Sequence, residues 1–409
     1  MRNRHPELLI PASSLEVLKT AVMFGADAVY IGGEAFGLRA KAKNFSMEDM
    51  KEGVQFAHEH GARVHVTVNI LAHNDDLEGA AEYLKELKEI GPDALIIADP
   101  AIFMLAKEIC PEIERHVSTQ ANNTNYGTFN FWWNLGAKRV VTARELSLKE
   151  IREIRAHIPA EMEIESFIHG AMCISYSGRC LLSNFFTGRD ANQGACTHPC
   201  RWKYSVVEET RPGEYMPVYE NERGTYIFNS KDLCMIEHIP EMIDAGIDSF
   251  KIEGRMKTAL YVATVARTYR KAIDDYMESE EKYRANMEYY KREIAKCTYR
   301  QFTTGFYFGK TDSESQIYDS NTYVKNYTYI GTVREVTPDG CVCFEQKNKF
   351  LVGEKLEAMG FDGTNIECEV QAIYDEKENS MDSAPHPKQK LRVKLDKELE
   401  TGIILRRKE

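Results

Sequence analysis

No stretch of this sequence approaches the roughly 18 uninterrupted apolar residues that a membrane helix needs. The N-terminus, MRNRHPELLIPASS, is basic, but no apolar run long enough for a signal peptide follows it. Together these absences give the expectation of a cytoplasmic chain with no membrane partner. In a reducing compartment, clustered cysteines read as metal ligands or a redox site rather than disulfides. The dinucleotide fingerprint G-x-G-x-x-G is missing after the first apolar burst, which argues against a doubly wound nucleotide-binding sheet. H-E-x-x-H is absent too, because HEHGA at His58 has the wrong spacing for two ligands on one helical face. No G-x-S-x-G elbow occurs. Basic charge is in deficit, with a net charge of −11, so the surface as a whole is not one that coats nucleic acid.

What is present is a recurring unit: a glycine, a short polar turn, then an apolar burst. It appears as GADAVYIGG, GARVHVTVNI, GPDALIIADP, GAKRVVTARE and GIDSFKIEGR. Glycine supplies the left-handed turn that ends a helix, and the burst that follows reads as a buried parallel strand. ELLIPA, RHVSTQA and EMEIESFIHG complete a set of eight, with amphipathic stretches such as SMEDMKEGVQFAHEH between most of them. Eight strands alternating with helices predict an α/β fold, a (β/α)8 TIM-like barrel over residues 1–256, with a cysteine-rich insertion at 170–235. Residues 257–322 read as a helical extension of one or two long charged helices and a connector. From 323 to 409, short β-branched runs and turn residues predict a small antiparallel β-barrel domain. Its DEKENSMDSAPHPKQ segment reads as a mobile loop.

Barrel enzymes place their chemistry at the carboxyl ends of the strands. Those ends supply Asn69, Asp99, Gln120, Arg144 and Glu145, then Glu165, His169, Lys251, Glu253 and Arg255. Each alone is an ordinary strand-to-loop residue; as a set they describe a polar pocket. The insertion that follows the seventh strand carries Cys173, Cys180, Cys196 and Cys200. Structural zinc sites show two tight pairs such as C-x2-C, whereas only Cys196 and Cys200 are close here, as C-x3-C. The wider spacing favours a cubane iron–sulfur cluster, one thiolate per iron; a zinc ion and unliganded thiols are the other readings. Gly178, Gly188 and Gly194 suit a chain wrapping closely round a ligand. Cys234, in NSKDLCMIEHIP, reads as an apolar helix position. Cys110, Cys297, Cys341, Cys343 and Cys368 show no partner spacing.

ESFIHGAMCISYSGRCLLSNFFTGR resembles the signature of the collagenase-like peptidases of unknown catalytic type. FGLRAKAKNFS, VNILAHN, HVSTQANNTN, GACTHPCRWKY, FKIEGRMKTALYVATVARTYR and RQFTTGFYFG extend that resemblance over nearly the whole chain. Despite the family label, the resemblance implies oxygen-independent hydroxylation of RNA. Length and the C-terminal domain fit the branch that forms 5-hydroxyuridine in the transfer-RNA anticodon loop, with prephenate as the donor metabolite. It further implies a [4Fe–4S] cluster on Cys173, Cys180, Cys196 and Cys200, with Cys234 as a fallback ligand. Arg39, Arg144, Lys251 and Arg255 would bind donor carboxylates. Glu165 and Glu253 would move protons, with His169 beside them. Asn69 and Gln120 would line the pocket, and Arg201, Trp202 and Lys203 would contact RNA. Two other classes stay open: a metal-dependent peptidase, and a non-catalytic subunit paired with a partner protein of the same family.

Overall fold

The structure is a computed structural model that describes residues 5–34, 36, 44–173, 175–177, 179–189, 191, 196–201, 205–206, 216–217, 229–310, 316–317 and 324–409. It contains two compact units. The first comprises Met1–Leu18, Asp27–Met256 and Arg300–Tyr323; the second comprises Lys19–Ala26, Lys257–Tyr299 and Val324–Glu409.

The first unit is a closed parallel barrel. Its strands are β1 (Glu7–Pro11), β2 (Ala28–Gly32), β3 (Arg63–Val68), β4 (Ala94–Ile97), β5 (Glu114–Val117), β6 (Arg139–Val141), β7 (Glu163–Ala171) and β8 (Ser249–Ile252). Each pairs with the next, and β8 closes the ring by pairing with both β7 and β1. These are the eight bursts expected from the sequence, and all five helix-ending glycines that precede strands have positive φ. The strands alternate in a way their apolar runs conceal. Leu8, Ile10, Val29, Ile31, Val64, Val66, Leu95, Ile97, Val140, Ile164 and Phe250 are fully buried. Between them, Glu7 reaches Arg139 and His65 meets His116 across non-adjacent strands, and Glu165 joins this set through Arg139 and Lys251 on its two neighbouring strands, so these side chains fill the interior. Aliphatic layers usually fill such barrels. Here a small apolar cluster of Leu9, Ala28, Tyr30 and Ile96 accompanies the charged filling.

Six helices follow β1 to β6: α1 (Leu15–Met23), α2 (Met47–Glu59), α3 (Asp76–Ile90), α4 (Pro100–Ile109), α5 (Tyr126–Leu135) and α6 (Leu148–Ala156). Local chemistry starts them well. Ser46 caps α2, Asn125 caps α5, and Ser147 with Glu150 forms a capping box on α6. Between β7 and β8 lie α7 (Leu182–Thr187) and α8 (Ile239–Asp244). Cys234 is in a strand, Asp232–Cys234, not the helix expected. Antiparallel pairing with the end of β7 fixes it, Cys234 opposite His169, and Phe302–Thr303 adds a further strand beside it.

In the second unit the charged segment after residue 257 is three helices: α9 (Ala259–Glu278), α10 (Glu280–Ala285) and α11 (Met287–Ile294). Ser279 breaks the run with an extended backbone (φ −163°) and caps α10, so the expectation of one or two long helices fails there. These helices group with the C-terminal sheet, while residues 300–323 return to the barrel unit. The compact units therefore cut the chain differently from the division at 257–322. The sheet is antiparallel throughout, with Tyr327–Thr332 and Glu335–Val336 at its two ends. Arg406, fully buried, ties this unit together through Glu293, Glu357 and Asn365. The segment expected to be a mobile loop, 375–389, contains turns and short strands. The Asp375 carboxylate accepts from the backbone N–H groups of Lys377 and Asn379, Ser380–Met381 pairs with Ile373 and Tyr374, and Ser383–Ala384 pairs with Phe350–Leu351.

Candidate functional site at the carboxyl mouth of the barrel

The amino-terminal half of the interior is a closed ion-pair lattice. Arg139 Nη1 and Nη2 donate to the Glu7 carboxylate at 2.5 and 3.1 Å. Its Nε and Nη2 donate to Glu163 at 2.9 and 2.7 Å, and Nη1 to Glu165 at 3.1 Å. Lys251 Nζ donates to the other Glu165 oxygen at 2.7 Å and lies 4.5 Å from the centre of the Tyr30 ring. Burial pushes the Glu7 carboxyl up, but Arg139 outweighs it and holds that group well below the usual carboxylate range. His65 and His116 meet edge to face at 4.8 Å, and burial holds both imidazoles neutral, far below their ordinary pKa. Glu165 and Lys251 therefore stand in mid-barrel as each other's counter-ions rather than at the rim.

The carboxyl end is wired differently. Arg144 Nη1 donates to the Ala171 carbonyl at 2.6 Å and Nη2 to Glu253 at 3.0 Å, while its guanidinium lies 3.9 Å above the Phe167 ring. Its Nε is buried and has no hydrogen-bond partner among the described residues. Burial opposes the Arg144 charge, but Glu253, then Cys173 and Tyr30, outweigh it and raise the pKa above its ordinary value. Arg255 Nη1 donates to Thr67 Oγ1 across the barrel at 2.7 Å. Two glycines make room for this layer. A Cβ on Gly32 would sit 2.4 Å from Arg255 Nη1; one on Gly170, where φ is +111°, would meet the Glu253 carbonyl at 2.5 Å.

The remaining expected residues divide. Asn69 Nδ2 approaches Ser118 Oγ at 3.4 Å, and Gln120 lies in the short turn Thr119–Ala121 past β5. His169 is buried on β7, its ring 5.6 Å from Phe302. Asp99 serves α4 instead of the pocket, its carboxylate capping Ala101 and Ile102. Glu145 is half-buried, which raises its pKa. Arg201 ends the turn Pro199–Arg201. Arg39, Trp202 and Lys203 lie outside the described residues.

The thiol loop leaves the carboxyl end of β7. None of the ten cysteines is in a disulfide; Cys173 and Cys196 are exposed, and Cys180 and Cys200 half-buried. Two polar attachments that sequence reasoning missed hold the loop. Asn122, with φ +54°, donates from Nδ2 to the Ser177 carbonyl at 3.0 Å and accepts from Arg179 Nε at 2.6 Å. This fixes the stretch before Cys180 to the end of β5. The Thr197 N–H donates to Ser183 Oγ at 3.0 Å, and the Thr197 hydroxyl bonds those of Ser183 and Thr187. That binds the Cys196–Cys200 segment to α7, which begins two residues after Cys180. The visible signals were an asparagine able to take left-handed backbone and paired hydroxyls, but their partners are remote in sequence.

In kind, four thiols suit soft iron–sulfur chemistry. In placement, no three His, Cys, Asp or Glu side chains among the described residues converge as a metal-holding group.

A closed (β/α)8 barrel with a polar carboxyl mouth and a thiol-bearing loop beside it defines the class. The chain belongs to Peptidase family U32, which it matches over residues 13–317, with the family's C-terminal domain over 325–406. It is 43% identical over 405 residues to tRNA hydroxylation protein P1 of Bacillus subtilis (strain 168), covering 99% of this chain and 95% of that one. It is 38% identical to tRNA hydroxylation protein P of Escherichia coli (strain K12), covering 98% of this chain and 96% of that one. Over 272 residues it is 41% identical to the 23S rRNA 5-hydroxycytidine C2501 synthase of Escherichia coli (strain K12), covering 66% of this chain and 40% of that one. Among the described residues no helix is long and apolar enough to cross a membrane.

Proposed function

We propose that this chain hydroxylates uridine at C5 in the anticodon loop of transfer RNA, without molecular oxygen and with prephenate as the hydroxyl donor. Cys173, Cys180, Cys196 and Cys200 would hold a [4Fe–4S] cluster, which would supply one-electron transfer when bound. The observation that carries the reading is a chain-long similarity to proteins named for tRNA hydroxylation, joined to a barrel mouth rich in arginine.

Prephenate is a dicarboxylate, and guanidinium forks match carboxylates in shape and charge. Arg144 suits one carboxylate: its guanidinium sits over the Phe167 ring, is oriented by Glu253, and keeps a buried Nε–H with no acceptor among the described residues. Arg255, held by Thr67, takes the second, and Asn69 and Gln120 line the pocket. Glu253 is the proton-moving carboxylate of the rim; Glu165 and Lys251 hold the charge balance below it, with His169 on the adjoining strand. Arg201, Trp202 and Lys203 contact the RNA. The protein works in the cytoplasm, where a second protein of the same family is a fitting partner.

Deleting the gene and digesting bulk transfer RNA to nucleosides tests the substrate. Loss of 5-hydroxyuridine-derived nucleosides is expected; unchanged levels in a strain with no second family member overturn the assignment. Iron and sulfide assays on anoxically purified protein test the cofactor. The wild type is expected to carry both and Cys173→Ala to lose most, whereas a zinc-loaded wild type rejects the cluster.

A further inference from the structure

Helix α7 is built inside out. Ser183 is its buried residue, 1% exposed and bonded to Thr197, whereas Leu181 and Phe185 on the opposite side are 66% and 80% exposed. Phe186 and Tyr176 are each 44% exposed, and the Phe185 and Phe186 rings meet edge to face at 5.2 Å. A surface helix normally turns its apolar side chains inward. Large apolar side chains exposed together in one short segment mark an interaction site, and this segment carries Cys180 and follows Cys173. The local charge is also the reverse of the whole. From Gly170 to Arg189 there are two arginines, Arg179 and Arg189, and no acidic residue, in a chain of net charge −11.

We infer that Tyr176, Leu181 and Phe185 form a stacking platform for unpaired bases of a single-stranded RNA loop, with Arg179 and Arg189 supplying charge for its phosphates. This rests on the hydroxylation reading above and assigns that reading its RNA-contacting surface. Every base has a π-face, so exposed aromatics beside cations bind single strands whatever their sequence. The Asn122 bond orients Arg179, which is an exposed residue. A second copy docking here by two-fold symmetry would set these arginines against their own copies. A partner of negative charge fits better, and flat bases suit the rings.

The test is fluorescence anisotropy of a labelled anticodon stem–loop RNA with the full chain at fixed salt, comparing wild type, Phe185→Ala and Phe185→Trp. Phe185→Ala is expected to bind about tenfold more weakly and to melt at the wild-type temperature; Phe185→Trp is expected to bind like the wild type. Replacing the stacked nucleotide by an abasic one should weaken the wild type and leave Phe185→Ala nearly unchanged. Wild-type binding that Phe185→Ala retains in full overturns the platform and leaves the hydroxylation reading standing. No RNA binding by the wild type removes both. Two other results overturn the platform when RNA affinity is unchanged. One is a Phe185→Ala change in oligomeric mass, which makes a second copy the occupant. The other is Phe185→Ala loss of wild-type binding to anionic lipid vesicles, which makes it a membrane.

Discussion

Arg139 and Arg144 are five residues apart and serve the barrel in opposite ways. At the amino-terminal end, Arg139 spends its donors on Glu7, Glu163 and Glu165. At the carboxyl end, Arg144 is stacked, oriented and ion-paired, yet keeps a buried Nε–H with no acceptor among the described residues. A saturated buried guanidinium is scaffold, because every donor already has its acceptor. An unsaturated one leaves a donor for an arriving carboxylate. The same residue type thus separates the half of the interior that holds the fold from the half to which the proposed function assigns ligand binding.

Removing the saturated arginine should have the largest effect. Arg139→Met removes the shared counter-ion of Glu7, Glu163 and Glu165, leaving Glu165 to Lys251 and Glu163 to Lys138, and is expected to cost about 3–5 kcal/mol in urea unfolding. A near-wild-type midpoint would dissolve the contrast. Gly170→Ala comes next: it forces a Cβ onto the Glu253 carbonyl at a left-handed φ. It should cost about 1–3 kcal/mol and misplace Glu253, read as reduced hydroxylation even where the protein remains folded.

Acid sharpens the comparison. Glu7 has a depressed folded pKa, so its stabilisation is full above the ordinary carboxylate pKa and is lost as pH falls below it. His65 and His116 are also depressed, so the unfolded chain takes up their protons first and stability falls as pH drops through about 6.5. The expected slope there is up to about 1.4 kcal/mol per pH unit for each histidine. His65→Leu should flatten it in urea titrations run from pH 7.5 down to 5.5. The smallest change in stability belongs to Arg144→Lys, which keeps the charge but loses the fork. Unfolding should shift by less than about 1 kcal/mol, while the hydroxylated nucleoside in a complemented deletion strain falls about tenfold or more.

The barrel was legible because outward-facing aliphatics and glycine helix ends recur with each strand. The ionic filling was hidden in the same bursts: no spacing marks Glu7, His65, His116 and Arg139 as a set, and only closure of the ring brings them together. Arg144, Glu253 and Arg255 were legible as strand-end residues, but which partner each holds is set by strands far apart in sequence. Cys234 was misassigned because pairing with β7 overrode a helical-looking pattern. The order in 375–389 was signalled by Asp375 and Asn379, whose side chains build their own turn.

An interior held by charge rather than by oil responds to heat in its own way. Hydration of ions weakens as temperature rises, so the penalty for keeping Glu7, Arg139, Glu163 and Glu165 away from water shrinks on warming. The lattice should grow relatively stronger at temperatures where apolar contacts gain nothing more. Its hub can then be expected to outlast the peripheral helices when the protein is warmed toward melting.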